Sequence, residues 1–206
     1  MTRANAADNT KPSGPSTETV QWVEQARQGD QTAFHRLVDR YQPEIFRMIY
    51  YRTRSRLDAE DLTQDVFLRA YKHLQRLESA EGFRSWLFRI AVNRVHDHHR
   101  SLRVKSIFGI VSMDEETFRE TEEMAVAPEA ADGMARKEFW QQVNGILTVL
   151  SRMEREVFML RFFDQLSIRE MADAMKKNES TIKTHLYRAL AKVKTAAMQN
   201  GLWEAT

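Results

Sequence analysis

"LSIREMADAMKKNESTIKTHLYRALAKVK", residues 166–194, decides the fold of this chain. Ser167 and Glu170 have the S-x-x-E spacing in which two side chains satisfy the open amides of a helix start. Ile168, Met171, Ala172 and Met175 follow at helical spacing, and the polar run Lys176, Lys177, Asn178 ends that short helix. Asn178 is placed to cap a second helix. There Ile182, Leu186, Ala189, Leu190 and Val193 project to one side at about 100° per residue, leaving Ser180, Lys183, Thr184, Tyr187 and Arg188 broadly opposite. Two helices joined by a tight polar turn give a helix-turn-helix outline. The polar side has no acid after Glu179, whereas a side kept for solubility mixes signs. Short hydroxyls and an arginine near a helix start suit base edges in a DNA major groove. A second S-x-x-E pair, Ser151 with Glu154, starts another helix upstream.

Composition narrows what surrounds this element. The 206 residues, 42% hydrophobic and 29% charged, can bury one moderate core or two small ones in a soluble protein. The absence of cysteine excludes disulfides, thiolate zinc sites and thiol catalysis, and makes the cytosol the default compartment. The first twenty residues lack the apolar centre of a signal peptide, and no window approaches the roughly 18 continuous apolar residues of a membrane span. Membrane insertion is not expected. A net charge of +2 does not by itself argue for nucleic acid; its segregation does. From Ser112 to Glu138 the acids Asp114, Glu115, Glu116, Glu120, Glu122, Glu123, Glu129, Asp132 and Glu138 face three basic residues, with little apolar periodicity, which reads as a flexible acidic linker. Pro12 and Pro15 lie in a polar amino-terminal tail, Pro128 in the linker, and Pro43 in a patterned segment. No strand signal appears. The expectation is an all-α chain: a disordered tail over 1–19, a helical domain over 20–103, a linker over 104–136 and a second helical domain over 137–200.

In the first domain, "LDAEDLTQDVFLRAYKHL", residues 57–74, reads as a helix capped by Asp58 with a buried side of Leu62, Val66, Ala70 and His73 or Leu77. Its other side carries Asp61, Gln64, Asp65, Leu68 and Lys72. An apolar anchor ringed by acids and an amide fits either a scattered exposed leucine or an interface with a basic protein partner. In "GFRSWLFRIAVNRVHDHHR", residues 82–100, Phe83, Trp86, Leu87 and Ile90 read as core, while Arg89, Asn93, His96 and Arg100 form one line along the helix. Cations flanking an amide suit phosphate contacts around a base-reading group. Of the histidines, His96 and His99 alone share a face for an ion, and no metal or cofactor is expected.

Together these residues resemble an extracytoplasmic-function (ECF) bacterial RNA polymerase sigma factor over about residues 20–198. "DAEDLTQDVFLRAY" resembles that family's polymerase-binding helix, "FRSWLFRIAVNRV" the segment that reads the minus-10 element, and residues 166–194 the domain that reads the minus-35 element. The resemblance implies a non-enzymatic sigma region 2 bundle and a sigma region 4 helix-turn-helix, with core polymerase, promoter DNA and an anti-sigma factor as partners. It places Asp61, Gln64, Asp65 and Leu68 against polymerase. Arg89, Asn93, His96 and Arg100, with the loop from Ser79 to Arg84, would read an opened minus-10 base. Ser180, Lys183, Thr184, Tyr187 and Arg188 would meet the minus-35 duplex. The acidic linker would pass near the polymerase active site. One departure stands out: Lys176 occupies a turn position where the family usually has glycine. Two other readings are a conventional helix-turn-helix regulator acting without polymerase and, more weakly supported, a histidine-metal hydrolase.

Overall fold

A computed structural model describes residues 16–107, 145 and 147–199. Seven α-helices account for most of them, and among the described residues there is no strand. They are α1 (Thr17–Arg27), α2 (Gln31–Thr53), α3 (Arg56–His73), α4 (Phe83–Ile107), α5 (Arg152–Phe162), α6 (Ile168–Met175) and α7 (Glu179–Gln199), with 3-10 turns at Leu74–Arg76 and Ala80–Gly82.

Local chemistry sets most of the boundaries. The tail ends earlier than expected: Ser16 caps α1 by accepting from the Thr19 amide, and Thr19 and Val23 are buried, so residues 17–19 are helix rather than tail. Asp30 caps α2 through the amides of Thr32 and Ala33. α2 runs through Pro43, whose missing N–H faces an exposed turn where water can take up the orphaned carbonyl. The cap of α3 is Ser55, not Asp58, because the Ser55 hydroxyl accepts from the Asp58 amide one turn into the helix. Asp58 instead sits in the first turn, where its charge meets the positive helix end. His73 is exposed and Leu77, past the helix, takes the buried place. α4 continues to Ile107, four residues past the expected domain edge at 103. The remainder of the linker, the start of the second domain at 137–144 and the tail up to residue 15 lie outside the described residues.

In the second half both S-x-x-E pairs form complete capping boxes, with Ser151 and Ser167 accepting from the amides of Glu154 and Glu170 and each carboxylate accepting in return. Asn178 receives the Thr181 amide at 3.0 Å and so caps α7. Between α6 and α7 the Lys177 amide reaches back to the Ala172 carbonyl at 3.0 Å, which makes a Schellman closure with Lys176 left-handed at φ 51, ψ 47.

The sequence pattern points to two separate cores, but the structure packs the helices of both halves against one another. Leu37, Ile45, Met48, Ile49, Phe83, Leu87 and Phe88 of the first half share one buried cluster with Val157, Leu160, Leu166, Met171 and Ile182 of the second. A smaller cluster of Leu147, Leu150, Met159 and Ala189 receives Tyr51 from the first half, whose ring stands 5.6 Å from Phe163. Ile90 and Leu190 are less enclosed than their spacing implies: Ile90 is half-buried and Leu190 is exposed.

Candidate nucleic-acid and polymerase interfaces

The outer side of α3 carries the acid-edged apolar patch expected of it. Asp61 and Gln64 are exposed and Leu68 is 52% exposed. Beside them an apolar groove of about 680 Å³ opens between α2 and α3, lined in part by Phe34, Val38, Phe46, Phe67, Leu68 and Tyr71. Asp65 differs from its neighbours. It is half-buried, accepts from Arg69 at 3.2 Å and lies against Arg94 of α4, so most of its charge is already matched within the fold.

On α4 the expected line divides. Asn93 and Arg100 are exposed and Arg89 is half-buried, with Arg100 bonded to Asp97. His96 turns toward α5, its Nε2 3.6 Å from the Glu156 carboxylate. His98 faces Asp58 at 3.7 Å, apart from His96. Among the described residues no group of three or more potential ligands could hold a metal ion.

On α7, Ser180, Lys183, Thr184, Tyr187 and Arg188 are all exposed, Tyr187 to 70%. The buried opposite side is Ile182, Leu186 and Ala189. Ser180 donates to Asn178 at 3.2 Å and Thr184 to the Ser180 carbonyl at 2.9 Å, which fixes both hydroxyls at the helix start. Lys183 lies 3.3 Å from Glu179 in an exposed pair, which contributes little to stability. The turn preceding this face is held by the Lys177 amide on the Ala172 carbonyl and by the Asn178 cap, so these exposed side chains stand on a well-anchored helix.

A third set of residues escapes the sequence pattern altogether. The Arg52 guanidinium, its side chain 5% exposed, donates to Glu156 at 3.0 and 3.1 Å and to Asp164 at 2.9 Å. Burial disfavours the Glu156 carboxylate, but the adjoining Arg52 and His96 outweigh it and hold its pKa down at about 2. For Asp164 burial dominates and pushes the carboxyl upward despite Arg52. Arg84, at the start of α4, donates to Glu170 and to the Asp164 carbonyl, both at 2.9 Å, and to Glu44 at 3.2 Å. These partners are 40 to 112 residues apart, so no local spacing announces them.

An all-helical scaffold with a solvent-facing helix-turn-helix and an acid-edged helix groove defines a class of DNA-reading, partner-docking protein. Comparison with known proteins gives the particular family. Residues 37–104 match Sigma-70 region 2 and residues 141–193 match Sigma-70, region 4. The chain is 34% identical over 176 residues to the ECF RNA polymerase sigma factor BldN of Streptomyces coelicolor, covering 85% of this chain and 64% of BldN. It is 31% identical over 176 residues to the RNA polymerase sigma factor NccH of Alcaligenes xylosoxydans xylosoxydans, covering 85% of this chain and 91% of NccH. The fold is similar to that of CnrH, solved in complex with the cytosolic domain of CnrY, with a TM-score of 0.64 and 25% identity over 86% of this chain and 96% of that one. The chain belongs to the ECF sigma factor family. These matches lend no support to the conventional regulator. Among the described residues no helix is long and apolar enough to cross a membrane.

Proposed function

We propose that this protein is a promoter-specificity subunit that acts in the cytoplasm, carries no catalytic activity or cofactor of its own and directs bacterial core RNA polymerase to promoter DNA. Residues 20–103 bind polymerase and the minus-10 element, 104–136 connect, and 137–200 read the minus-35 element. The observation that carries this reading is the order of the two matched regions along the chain, with an acid-edged apolar patch in the first and an exposed reading helix in the second. Asp61, Gln64 and Leu68 dock polymerase, the acids setting orientation and Leu68 entering a pocket on the partner. Asp65 serves the same surface at one remove, by tying α3 to Arg94 of the DNA-reading helix.

Asn93 reads an extruded minus-10 base, with Arg89, His96 and Arg100 around it for phosphates. Extruding a base costs a few kcal/mol, least where pairing is weak, so a base can be read as the duplex opens. On α7, Lys183, Thr184, Tyr187 and Arg188 face the minus-35 major groove, and Ser180 sits where the helix start meets the backbone. An anti-sigma factor is the third partner; the likeness to CnrH, solved together with a second protein chain, supports a partner-bound state. The test is co-elution with sigma-free core polymerase. The wild-type chain should co-elute, and Asp61→Ala with Gln64→Ala should weaken binding while the far-UV spectrum stays helical. A melted double variant would mean that the patch is core rather than interface.

A further inference from the structure

Within the helices, Thr53, Thr184 and Thr195 each donate their hydroxyl to the carbonyl four residues back, at 3.1, 2.9 and 3.1 Å, as a threonine in a helix commonly does. Thr63 of α3 does not. It is 4% exposed, and its hydroxyl has no hydrogen-bond partner among the described residues. A buried donor left open is costly, so such a group calls for a reason. Thr63 lines the groove between α2 and α3, and because Glu60, Gln64, Leu68 and Tyr71 beside it are exposed while it is buried, it forms the floor. The groove holds about 680 Å³, a volume typical of small-molecule sites.

Its walls carry four rings, Phe34 and Phe46 from α2 with Phe67 and Tyr71 from α3. Phe34 and Tyr71, one from each wall, meet edge to face with centroids 4.9 Å apart. Rings pair well with further rings in offset or edge-on contact. Fixed charge is scarce: among the described residues lining the groove Glu60 alone carries one, and it is paired with Arg56 at 3.0 Å. Gln31, Gln42 and Gln64, all exposed, add amides at the rim that both donate and accept. We propose that this groove is a binding site for an uncharged, flat aromatic small molecule bearing a carbonyl acceptor, its ring lodged between the walls and its acceptor taking the Thr63 hydroxyl. A partner helix on the outer line of Asp61, Gln64 and Leu68 lies across the rim, whereas a ligand small enough to enter reaches the floor. Leu68 belongs to both surfaces, so an occupied groove and polymerase docking exclude one another, a consequence that rests on the sigma-factor reading.

The probe is naphthamide, with methylnaphthalene as the counterpart that lacks the acceptor. Added to the isotopically labelled full-length chain, naphthamide should shift the amide NMR resonances of groove residues saturably and leave those of α7 in place. Thr63→Val keeps the shape and removes the hydroxyl; it should weaken naphthamide binding about three- to tenfold, the usual net worth of one hydrogen bond, and leave methylnaphthalene unchanged. Gln42→Trp, at an exposed wall position, should close the groove to both probes. Shifts that are absent, do not saturate or scatter over the surface overturn the site. Equal losses for the two probes on Thr63→Val, or no loss, overturn the role of the hydroxyl. The same substitution should not lower the urea midpoint of the free chain, and a fall would show that the hydroxyl already has a partner within the protein, which removes the premise. With naphthamide at about ten times its measured Kd, the apparent affinity of the chain for sigma-free core polymerase should drop about tenfold by mass action. An unchanged affinity overturns the exclusion, while a chain that ignores polymerase with no probe present counts against the sigma-factor reading and not against the site.

Discussion

Lys176 is the residue whose replacement the structure predicts most directly. It closes α6 at φ 51 and ψ 47, with its amide directed at the Asp173 carbonyl and the next amide at the Ala172 carbonyl. The same closure ends α1, where the Asp30 amide reaches the Gln25 carbonyl at 3.1 Å and the left-handed position is Gly29 at φ 99. A left-handed residue with a Cβ costs about 1–2 kcal/mol, and glycine avoids that cost but gives back about 0.4–1 kcal/mol through its freer unfolded chain. Lys176 is exposed, so little packing is lost with its side chain. Lys176→Gly should therefore stabilise the protein by about 0.5–1 kcal/mol, which for a chain of this size raises Tm by about 1–4 °C. Lys176→Ala keeps the Cβ and should change little. Urea unfolding of the full chain, followed by far-UV circular dichroism, measures the difference. A glycine variant no more stable than the alanine variant would refute the left-handed turn and the strain assigned to it.

Arg188→Ala should reduce discrimination among minus-35 sequences by about 1–3 kcal/mol in holoenzyme binding, while an equal loss on every sequence would make Arg188 a phosphate contact. Leu160→Ala, at a fully buried position where both halves meet, should cost about 2–5 kcal/mol in urea titration, and a loss below 1 kcal/mol would contradict the shared core. The Lys192 ammonium and the Ser151 amide hold Glu154 at a pKa of about 2, below its ordinary 4.5. Because the folded value is the lower one, this contribution is complete above pH 4.5 and is lost as pH falls toward 2; Glu154→Gln should flatten the acid limb of stability there, and an unchanged limb would count against the pair.

The helix-turn-helix was legible because its signals are local. Ser151 with Glu154, Ser167 with Glu170, and Asn178 each close a hydrogen bond within three residues, and the structure forms all of them. The exposed side of α7 followed from its buried residues by spacing, with Leu190 the exception that the structure leaves exposed. Ser55 and Asp58 show where local reading falters: both are short polar side chains within one turn, and only the path of the chain out of α2 decides which one caps. Ser16 was missed because its helix begins among polar residues with no apolar periodicity, and the burial of Thr19 there comes from tertiary packing. Arg52 was wholly illegible. An arginine near the end of an amphipathic helix reads as a solvated charge, and its carboxylate partners lie 104 and 112 residues away. His96 shared in that failure, since spacing places it in line with Asn93 but Glu156 determines what it faces.

Run-off transcription from a library of promoter fragments, with sigma-free core polymerase and the purified chain, decides whether this protein confers promoter specificity on polymerase. A promoter-specificity subunit yields transcripts from a subset of fragments that share two spaced elements, and none from core or chain alone. Absence of transcripts, together with tight recognition of a duplex operator by the chain without polymerase, would contradict it.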